Sequence, residues 1–447
     1  MPTALTSDPL IASLPLKSGK PKLGPVLLES KLGQGGLGAV YLGYHTGLDM
    51  PVAVKVLPKK RLAELPGTLA RFVREVRASA RCRHPSVVGV FGYDESEELH
   101  YVILEYVAGV ILAQQINAAP LLEARALDIL IPIAEGLAEI WRNGLLHRDI
   151  KPENIIVPTD GPAKLLDLGL VGRDRLDLKG QIVGTPQYMS PEAARDDVDI
   201  GIQADMWSFG ATLYHAVTGK QPFEADDAMA CRQRVLNDEP PPPSAVNANV
   251  SGPVSRLILK LLSKKPEDRF ASSAEFLRAL RVVREQITSG PGIEETQVRV
   301  GSGERPAGSS TRGAGAGDVI GNCRLLQQVG AGAFGVVFKA HHALLDVDLA
   351  VKLLPLDLAE KDRIYIDLFL REARTAARIH HPNVVSIFEA GNHDGQYYLV
   401  MEYVPGGTVA DRMAAHGGRL PADEVEQVLL SVARGLAAAA ELNIIHR

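Results

Sequence analysis

At 447 residues the chain is too long for one ordinary domain and leaves room for two or three. Apolar residues make up 46% and charged residues 23%, close to globular averages, so each unit can bury a core; with a formal net charge of only −5 and no separate run of Lys and Arg, nucleic acid is not an expected partner. No run of about 18 consecutive apolar residues exists, and Cys82, Cys231 and Cys323 lack metal or disulfide spacing, so the sequence predicts no membrane span, no disulfide framework and a reducing, cytoplasmic setting.

Residues 1–23, with Pro2, Pro9, Pro15 and Lys17 and no periodicity, read as a flexible leader and lack the apolar core of a signal peptide. From Val26 the pattern turns to strands. Gly33, Gly35 and Gly38 spell G-x-G-x-x-G, and because Ala39-Val40-Tyr41-Leu42 continues as a β pattern rather than a helix, these glycines form a hairpin tip whose bare backbone can approach phosphates. The next strand, Val52 to Leu57, holds a single Lys55 in an apolar run, either snorkelling to solvent or facing an anion that offsets its desolvation. Arg71 to Ala80 reads as a helix with Phe72, Val76 and Ala80 on one face; Glu75 lies among arginines, where a surface pair is the plain alternative to a role beside Lys55. Strands Val87 to Tyr93 and Tyr101 to Leu104 lead into Glu105-Tyr106-Val107, after which helical patterns dominate, and that switch marks a lobe boundary. Pro132, inside a helix from Leu121 to Trp141, is expected to break a hydrogen bond and kink it.

His147 to Gly169 organises the rest. Its apolar runs Ile155–Val157 and Lys164–Leu166 flank a Pro-Thr-Asp-Gly-Pro cluster and read as a hairpin. Asp149 and Asn154 precede the first strand and Asp167 ends the second, so three oxygen-bearing side chains arrive at one end of a short ribbon. That donor set suits magnesium and a nucleotide, because hard cations take oxygen ligands. Further on come an irregular stretch to Ile182, the segment Gly184 to Glu192, an apolar helix from Ala204 to Tyr214 and helices to about Gln286, with Pro240 to Pro243 as a rigid connector. Residues 288–317, rich in Gly, Ser, Pro and Thr, read as a flexible linker.

Past the linker the first pattern begins again. Gly330, Gly332 and Gly335, Lys352, Glu372 and Glu402 each follow their earlier counterparts Gly33, Gly35, Gly38, Lys55, Glu75 and Glu105 by 297 residues, a register that chance cannot hold across strands, helix and loop. His446 follows His147 by 299, so two residues are inserted before it, and Arg447 stands one residue ahead of where the counterpart of Asp149 falls.

Assembled in this order and spacing, these residues resemble the bacterial eukaryotic-like serine/threonine protein kinases, over residues 24–287 in full and 318–447 in part. The resemblance implies an α+β, bilobal protein-kinase fold with a β-rich N-lobe and a helical C-lobe, then a linker and a second N-lobe with the start of its C-lobe. It further implies ATP and Mg2+ as cofactors and Ser/Thr-bearing proteins as substrates. By the same resemblance Gly33, Gly35, Gly38 and Val40 cover the nucleotide, and Lys55 holds its phosphates while pairing with Glu75. Leu104 is the gatekeeper, and Glu105 to Val107 form the hinge that reads adenine. Asp149 is the catalytic base, Lys151 steadies the γ-phosphate, and Asn154 and Asp167 bind the metal. Thr185 docks substrate, Glu192 and Arg269 form an anchoring ion pair, and Asp205 braces the catalytic loop. Gly330, Gly332, Gly335 and Lys352 provide a second nucleotide cradle.

Some positions depart from the family pattern. Leu168 and Ser190 replace the usual Phe and Ala, and the half-segment that would carry an activating phosphate offers Asp174 and Asp177 instead of hydroxyls, so an acidic side chain is expected to stand in for the phosphate facing Arg148. The competing reading is a pseudokinase scaffold that binds nucleotide without transfer, which fits the second copy better, since residues 318–447 carry the phosphate loop and Lys352–Glu372 without base or metal ligands. A small-molecule kinase fits less well, because Gly184 to Glu192 resembles a peptide-docking platform. The apolar face of the last helix, Val428, Leu429, Val432, Leu436 and Ala439, is expected to lack cover, which invites self-association and suggests a fragment of a longer tandem kinase.

Overall fold

The computed structural model describes Leu5 and residues 8–35, 38–64, 67–166, 186–195, 197, 200–288, 315–332, 335–356, 363–442 and 444–446. The chain divides into two units, one of residues 1–69, 89–106 and 301–447, the other of residues 70–88 and 107–300.

The first unit holds two antiparallel sheets. The earlier one is built from β1 (Leu16–Lys17), β2 (Lys20–Leu23), β3 (Val26–Gln34), β4 (Ala39–His45), β5 (Met50–Pro58), β6 (Val90–Glu95) and β7 (Leu99–Glu105), in the order β1-β2-β3-β4-β5-β7-β6. Strand β4 alternates strictly, with Ala39, Tyr41, Gly43 and His45 buried. In β5 it is Val52, Val54 and Val56 that turn inward, so Lys55 projects from the opposite face. The inward residues pack with Val26, Leu28, Tyr101 and Ile103 into one core.

Part of the segment expected to be a flexible leader is folded onto this sheet. Ser18 and Gly19 adopt left-handed backbone (φ 53° and 77°), the geometry of a two-residue hairpin turn, and so join β1 to β2. Ile11 (1% exposed), Leu14 and Leu23 join the sheet core. Asp8 Oδ2 accepts from Tyr41 Oη and from Lys31 Nζ, both at 2.9 Å. The missed signal was the Ser-Gly pair between Leu16 and Leu23.

The second unit is mainly helical. Helices Glu123–Arg142, Ile202–Thr218, Gly252–Leu261 and Ser273–Thr288 share a core around Leu130, Ile133, Leu137, Trp207, Phe209 and Phe276. Trp207 stacks on Phe223, and Phe209 meets Phe276 edge-on with ring centroids 5.1 Å apart. Glu123–Arg142 runs on through Pro132. The proline denies the Asp128 carbonyl its helical donor, but Asp128 lies on the exposed side, while Leu130 and Ile133 bury both halves of the helix. Ser251 caps Gly252–Leu261 by accepting from Val254 N, and Gly219, left-handed at φ 71°, ends Ile202–Thr218. A three-stranded sheet, β8 (Gly109–Ile111), β9 (Ile155–Pro158) and β10 (Lys164–Leu165), contains the expected hairpin, with Ile156 opposite Lys164 and Ile155 opposite Leu165.

The later sheet belongs to the first unit. Its strands are β11 (Val319–Ile320), β12 (Cys323–Gly332), β13 (Gly335–His342), β14 (Val347–Leu353), β15 (Ile387–His393) and β16 (Gln396–Glu402), ordered β11-β12-β13-β14-β16-β15. The repeat extends to its irregularities. Bulges at Leu28/Ser30, Lys31/Gly33 and Val90/Gly92 recur at Leu325/Gln327, Gln328/Gly330 and Ile387/Glu389, each 297 residues on. Helix Arg363–Ala377 carries Glu372. In the final helix, Ala422–Glu441, Leu429 is 62% exposed and Leu436 46%, whereas their counterparts Leu130 and Leu137 in Glu123–Arg142 are fully buried.

Candidate functional site

Most of the residues expected to face a nucleotide in the first copy lie on or beside the earlier sheet. Gly33 pairs with Val40 across the β3–β4 hairpin, and Gly35 N donates to Gly38 O (2.8 Å) to close its tip. A Cβ at Gly38 would stand 2.0 Å from the Val56 carbonyl oxygen, so only glycine fits there. Gly33 and Gly35 border open space, and a side chain at either would project where a ligand's phosphates could come against the backbone. Lys55 lies between Val40 and Val102 in the ladder, and Leu104 is opposite Ala53. Glu105, opposite Val52, is 8% exposed; its carboxylate accepts from Gly89 N (3.2 Å), which fixes the end of β7 where the hinge begins. Val107 follows in the second unit, where Glu75 also lies, on helix Thr68–Arg81.

The residues expected to form a catalytic loop converge in the second unit. Asp149 Oδ2 is 3.0 Å from Lys151 Nζ and accepts from Asn154 Nδ2 at 2.7 Å, while the same amide also donates to the Asp149 carbonyl (2.8 Å). With its N–H groups so engaged, Asn154 has its Oδ1 as the atom to offer a hard cation, which fits the oxygen chemistry of magnesium. The Asp149 side chain is 44% exposed, accessible to an incoming hydroxyl yet held in one orientation.

What holds this loop is a buried carboxylate. Asp205, 1% exposed, accepts from His147 N (2.8 Å) and Trp141 Nε1 (2.9 Å) on one oxygen and from Arg148 N (2.8 Å) on the other. Arg148 is left-handed, at φ 66°, a conformation costing on the order of 1–3 kcal/mol for a non-glycine residue, and the Asp205 bond to its N–H offsets part of that strain. The His147 ring bonds the Leu166 carbonyl (3.0 Å) and Leu166 N donates to Asn154 O (2.8 Å), which ties the loop to the end of the hairpin. Asp167, the second expected metal ligand, lies outside the described residues, as do Leu168, Asp174, Asp177, Gly184 and Thr185.

Beyond the loop, Arg269 and Glu192 form a bidentate pair at 2.6 and 2.9 Å with both side chains almost wholly buried. Arg269 further donates to Gln203 O and Ser263 O and lies 5.0 Å above the Trp207 ring, so its donors are met by fixed partners rather than water. Sequence reasoning missed the Trp141 indole as a partner of Asp205, and missed the left-handed Arg148. Neither has a local signal, since one contact spans 64 residues and the other is a backbone angle.

In the second copy, Gly330 pairs with Val337, and Val337 with Lys352. Gly335 (φ 147°) comes so close to Leu353 that a Cβ would meet its carbonyl oxygen at 2.3 Å. Lys352 Nζ contacts both Glu372 oxygens, at 3.0 and 3.2 Å, and sits 5.7 Å over the Phe369 ring.

Comparison with known proteins adds three findings. The protein kinase domain model matches residues 27–279 and 323–447, well over half the chain. The serine/threonine-protein kinase pkn3 of Myxococcus xanthus is 36% identical over 282 residues, covering 59% of this chain and 51% of that protein. The serine/threonine-protein kinase PknB of Mycobacterium tuberculosis is 34% identical over 254 residues, 55% of this chain and 40% of PknB. The chain thus spans about half or less of the length of these relatives.

Proposed function

The chain belongs to the protein kinase domain family, and from that premise we propose that residues 24–287 are a serine/threonine protein kinase that transfers the γ-phosphoryl group of ATP to Ser and Thr hydroxyls of proteins, itself included. The observation that carries this reading is the Asp149 carboxylate, held by Lys151 and Asn154 on a loop braced by Asp205. In the proposed reaction the acceptor oxygen attacks the γ-phosphorus, the bond to the β-phosphate oxygen breaks, ADP leaves, and the hydroxyl proton passes to Asp149. Lys151 steadies the transferring group, and Lys55 holds the α- and β-phosphates beneath the amides of Gly33, Gly35 and Gly38. Asn154 and Asp167 would hold Mg2+, which when bound neutralises charge on the triphosphate.

The relatives named above are both serine/threonine-protein kinases, which favours Ser/Thr over other acceptors. Residues 318–447 are read as a second kinase segment in tandem, binding nucleotide through Gly330, Gly332, Gly335 and Lys352. The Lys352–Glu372 pair supports that reading. No helix among the described residues is long and apolar enough to cross a membrane, and we place the enzyme in the cytoplasm. Replacing Asp149 with Asn should lower phosphorylation of a Ser/Thr peptide by ~10²- to 10⁴-fold with the fold intact. Transfer at the wild-type rate by purified Asp149→Asn protein would refute the assignment.

A further inference from the structure

Strand β3 approaches the glycine tip with Glu29 to Gln34 all exposed, so apolar burial does not fix that end of the hairpin. The same stretch carries a bulge, with Leu32 the extra residue between the pairs Lys31–Tyr41 and Gly33–Val40. Polar bonds from the leader act there instead. Asp8 Oδ2 accepts from Lys31 Nζ and from Tyr41 Oη, both at 2.9 Å, and so bridges the last regular pair before the bulge. Lys31 Nζ also donates to Gln34 Oε1 (2.8 Å), which carries the link past the bulge to the residue between Gly33 and Gly35.

Asp8 is itself held in place. Its other carboxylate oxygen accepts from Leu10 N and its carbonyl from Ile11 N, each at 3.1 Å, and the buried Ile11 and Leu14 anchor this turn in the sheet core beside Tyr41. The Asp8 side chain is only 13% exposed, so its bonds to Lys31 and Tyr41 are largely shielded from water. The second copy has neither the ammonium nor the phenol. Gln328 and Phe338 stand 297 residues after Lys31 and Tyr41 and pair at the same place, ahead of the corresponding bulge, and Ala331 stands where Gln34 does. Since that copy forms the same hairpin and bulge with these residues, the tether is not needed to build them. It is confined to the copy that also carries Asp149, Lys151 and Asn154.

We propose that Asp8 is a positioning residue for the nucleotide site of the first copy: through Lys31 and Tyr41 it holds the hairpin that bears Gly33, Gly35 and Gly38, and so sets the affinity of that copy for ATP. Residues 8–14 then belong to the working kinase, ahead of the boundary expected at residue 24. The inference deepens the reading of residues 24–287 as a kinase and rests on it for its consequence, though not for the tether itself.

Substitutions in the full chain test it. Asp8→Ala removes the carboxylate, while Lys31→Gln together with Tyr41→Phe gives the first copy the second copy's residues at both donor positions. Each variant should raise KM for ATP in peptide phosphorylation by roughly three- to tenfold with kcat kept within about twofold. Amide exchange of β3 and β4 should quicken in both, with helix Ile202–Thr218 unchanged. Adding Asp8→Ala to the Lys31→Gln, Tyr41→Phe chain should cost nothing more, because the bonds it would remove are already gone. An acyl-phosphate derivative of ATP, which acylates lysines beside bound nucleotide, should at limiting concentration label Lys55 several-fold less in each variant. An unchanged KM in both would overturn the proposal, and so would a lowered unfolding midpoint and kcat with KM unmoved, the mark of a bond that serves stability alone. If the wild-type chain neither transfers phosphate nor takes label at Lys55, it is the kinase reading that fails, and the tether is then decided by the exchange of β3 and β4, which must quicken in both variants for it to stand.

Discussion

Asp205 illustrates how much of a loop can depend on one buried carboxylate outside it. Its two oxygens meet three donors, two from the loop backbone and one from the Trp141 indole, and charge-assisted bonds of this kind are worth more than neutral ones. Truncation leaves all three donors unmet, the Trp141 and His147 ones buried and the Arg148 one part-buried, at about 1–3 kcal/mol for each group that water cannot reach. Asp205→Ala should therefore destabilise the helical unit by about 3 kcal/mol or more in urea unfolding and release Arg148 from its left-handed backbone, with peptide phosphorylation falling as Asp149 loses its fixed position. Unchanged stability would mean that solvent or neighbours satisfy these donors. The Glu192–Arg269 pair follows a related logic, because each charge is tolerable in the interior only while the other stays. Its two residues, like Asp205, were nameable from sequence only through the family resemblance.

At the scale of elements, the most informative feature is a hairpin used twice. His45 and its counterpart His342 end β4 and β13, and each ring Nδ1 accepts from the backbone N–H three residues on, at Leu48 and Leu345. Both leucines are buried. Burial pushes the two histidines down to about 4, so each stays neutral in the fold and keeps its acceptor nitrogen. The unfolded chain, whose histidines titrate near 6.5, binds more protons between those values; the stabilisation is full above about 6.5 and is lost as pH falls toward 4. At pH 5 the loss should be about 1–2 kcal/mol per histidine, read as a fall in the thermal unfolding midpoint of the sheets relative to pH 7. A flat midpoint across that range would show that the rings do not stay neutral. Strands β3 to β7, β9 and β10 and the glycine tips were legible from alternation and turn residues, whereas the short β1, β2 and β8 and the bulges were not, since a bulge changes pairing without changing composition. Helix Glu123–Arg142 continues through Pro132, because buried neighbours on both sides outweigh one missing bond on a solvent-facing turn.

At the scale of the whole molecule, a helix of the same pattern meets two fates. Leu130, Ile133 and Leu137 are covered by the helices of the second unit, while Leu429, Val432 and Leu436 remain 62%, 49% and 46% exposed. An apolar stripe of this kind favours association between copies of the chain. Sedimentation should show concentration-dependent association that Leu429→Glu together with Leu436→Glu abolishes; a wild-type chain monomeric at every concentration would end that reading. The sequence by itself determined the strand–helix alternation and the 297-residue register, because these depend on local pattern and spacing; it offered Asp149, Asn154, Lys55 and Lys352 as candidates, and only the family resemblance added Lys151. The pattern also misled over part of the leader, whose Ile11, Leu14 and Leu23 follow no period and are ordered only by the sheet they cover. Which carboxylate braces the loop, which backbone is left-handed and where Asp8 finds its donors were decided by tertiary structure alone, since each depends on groups brought together from positions dozens of residues apart.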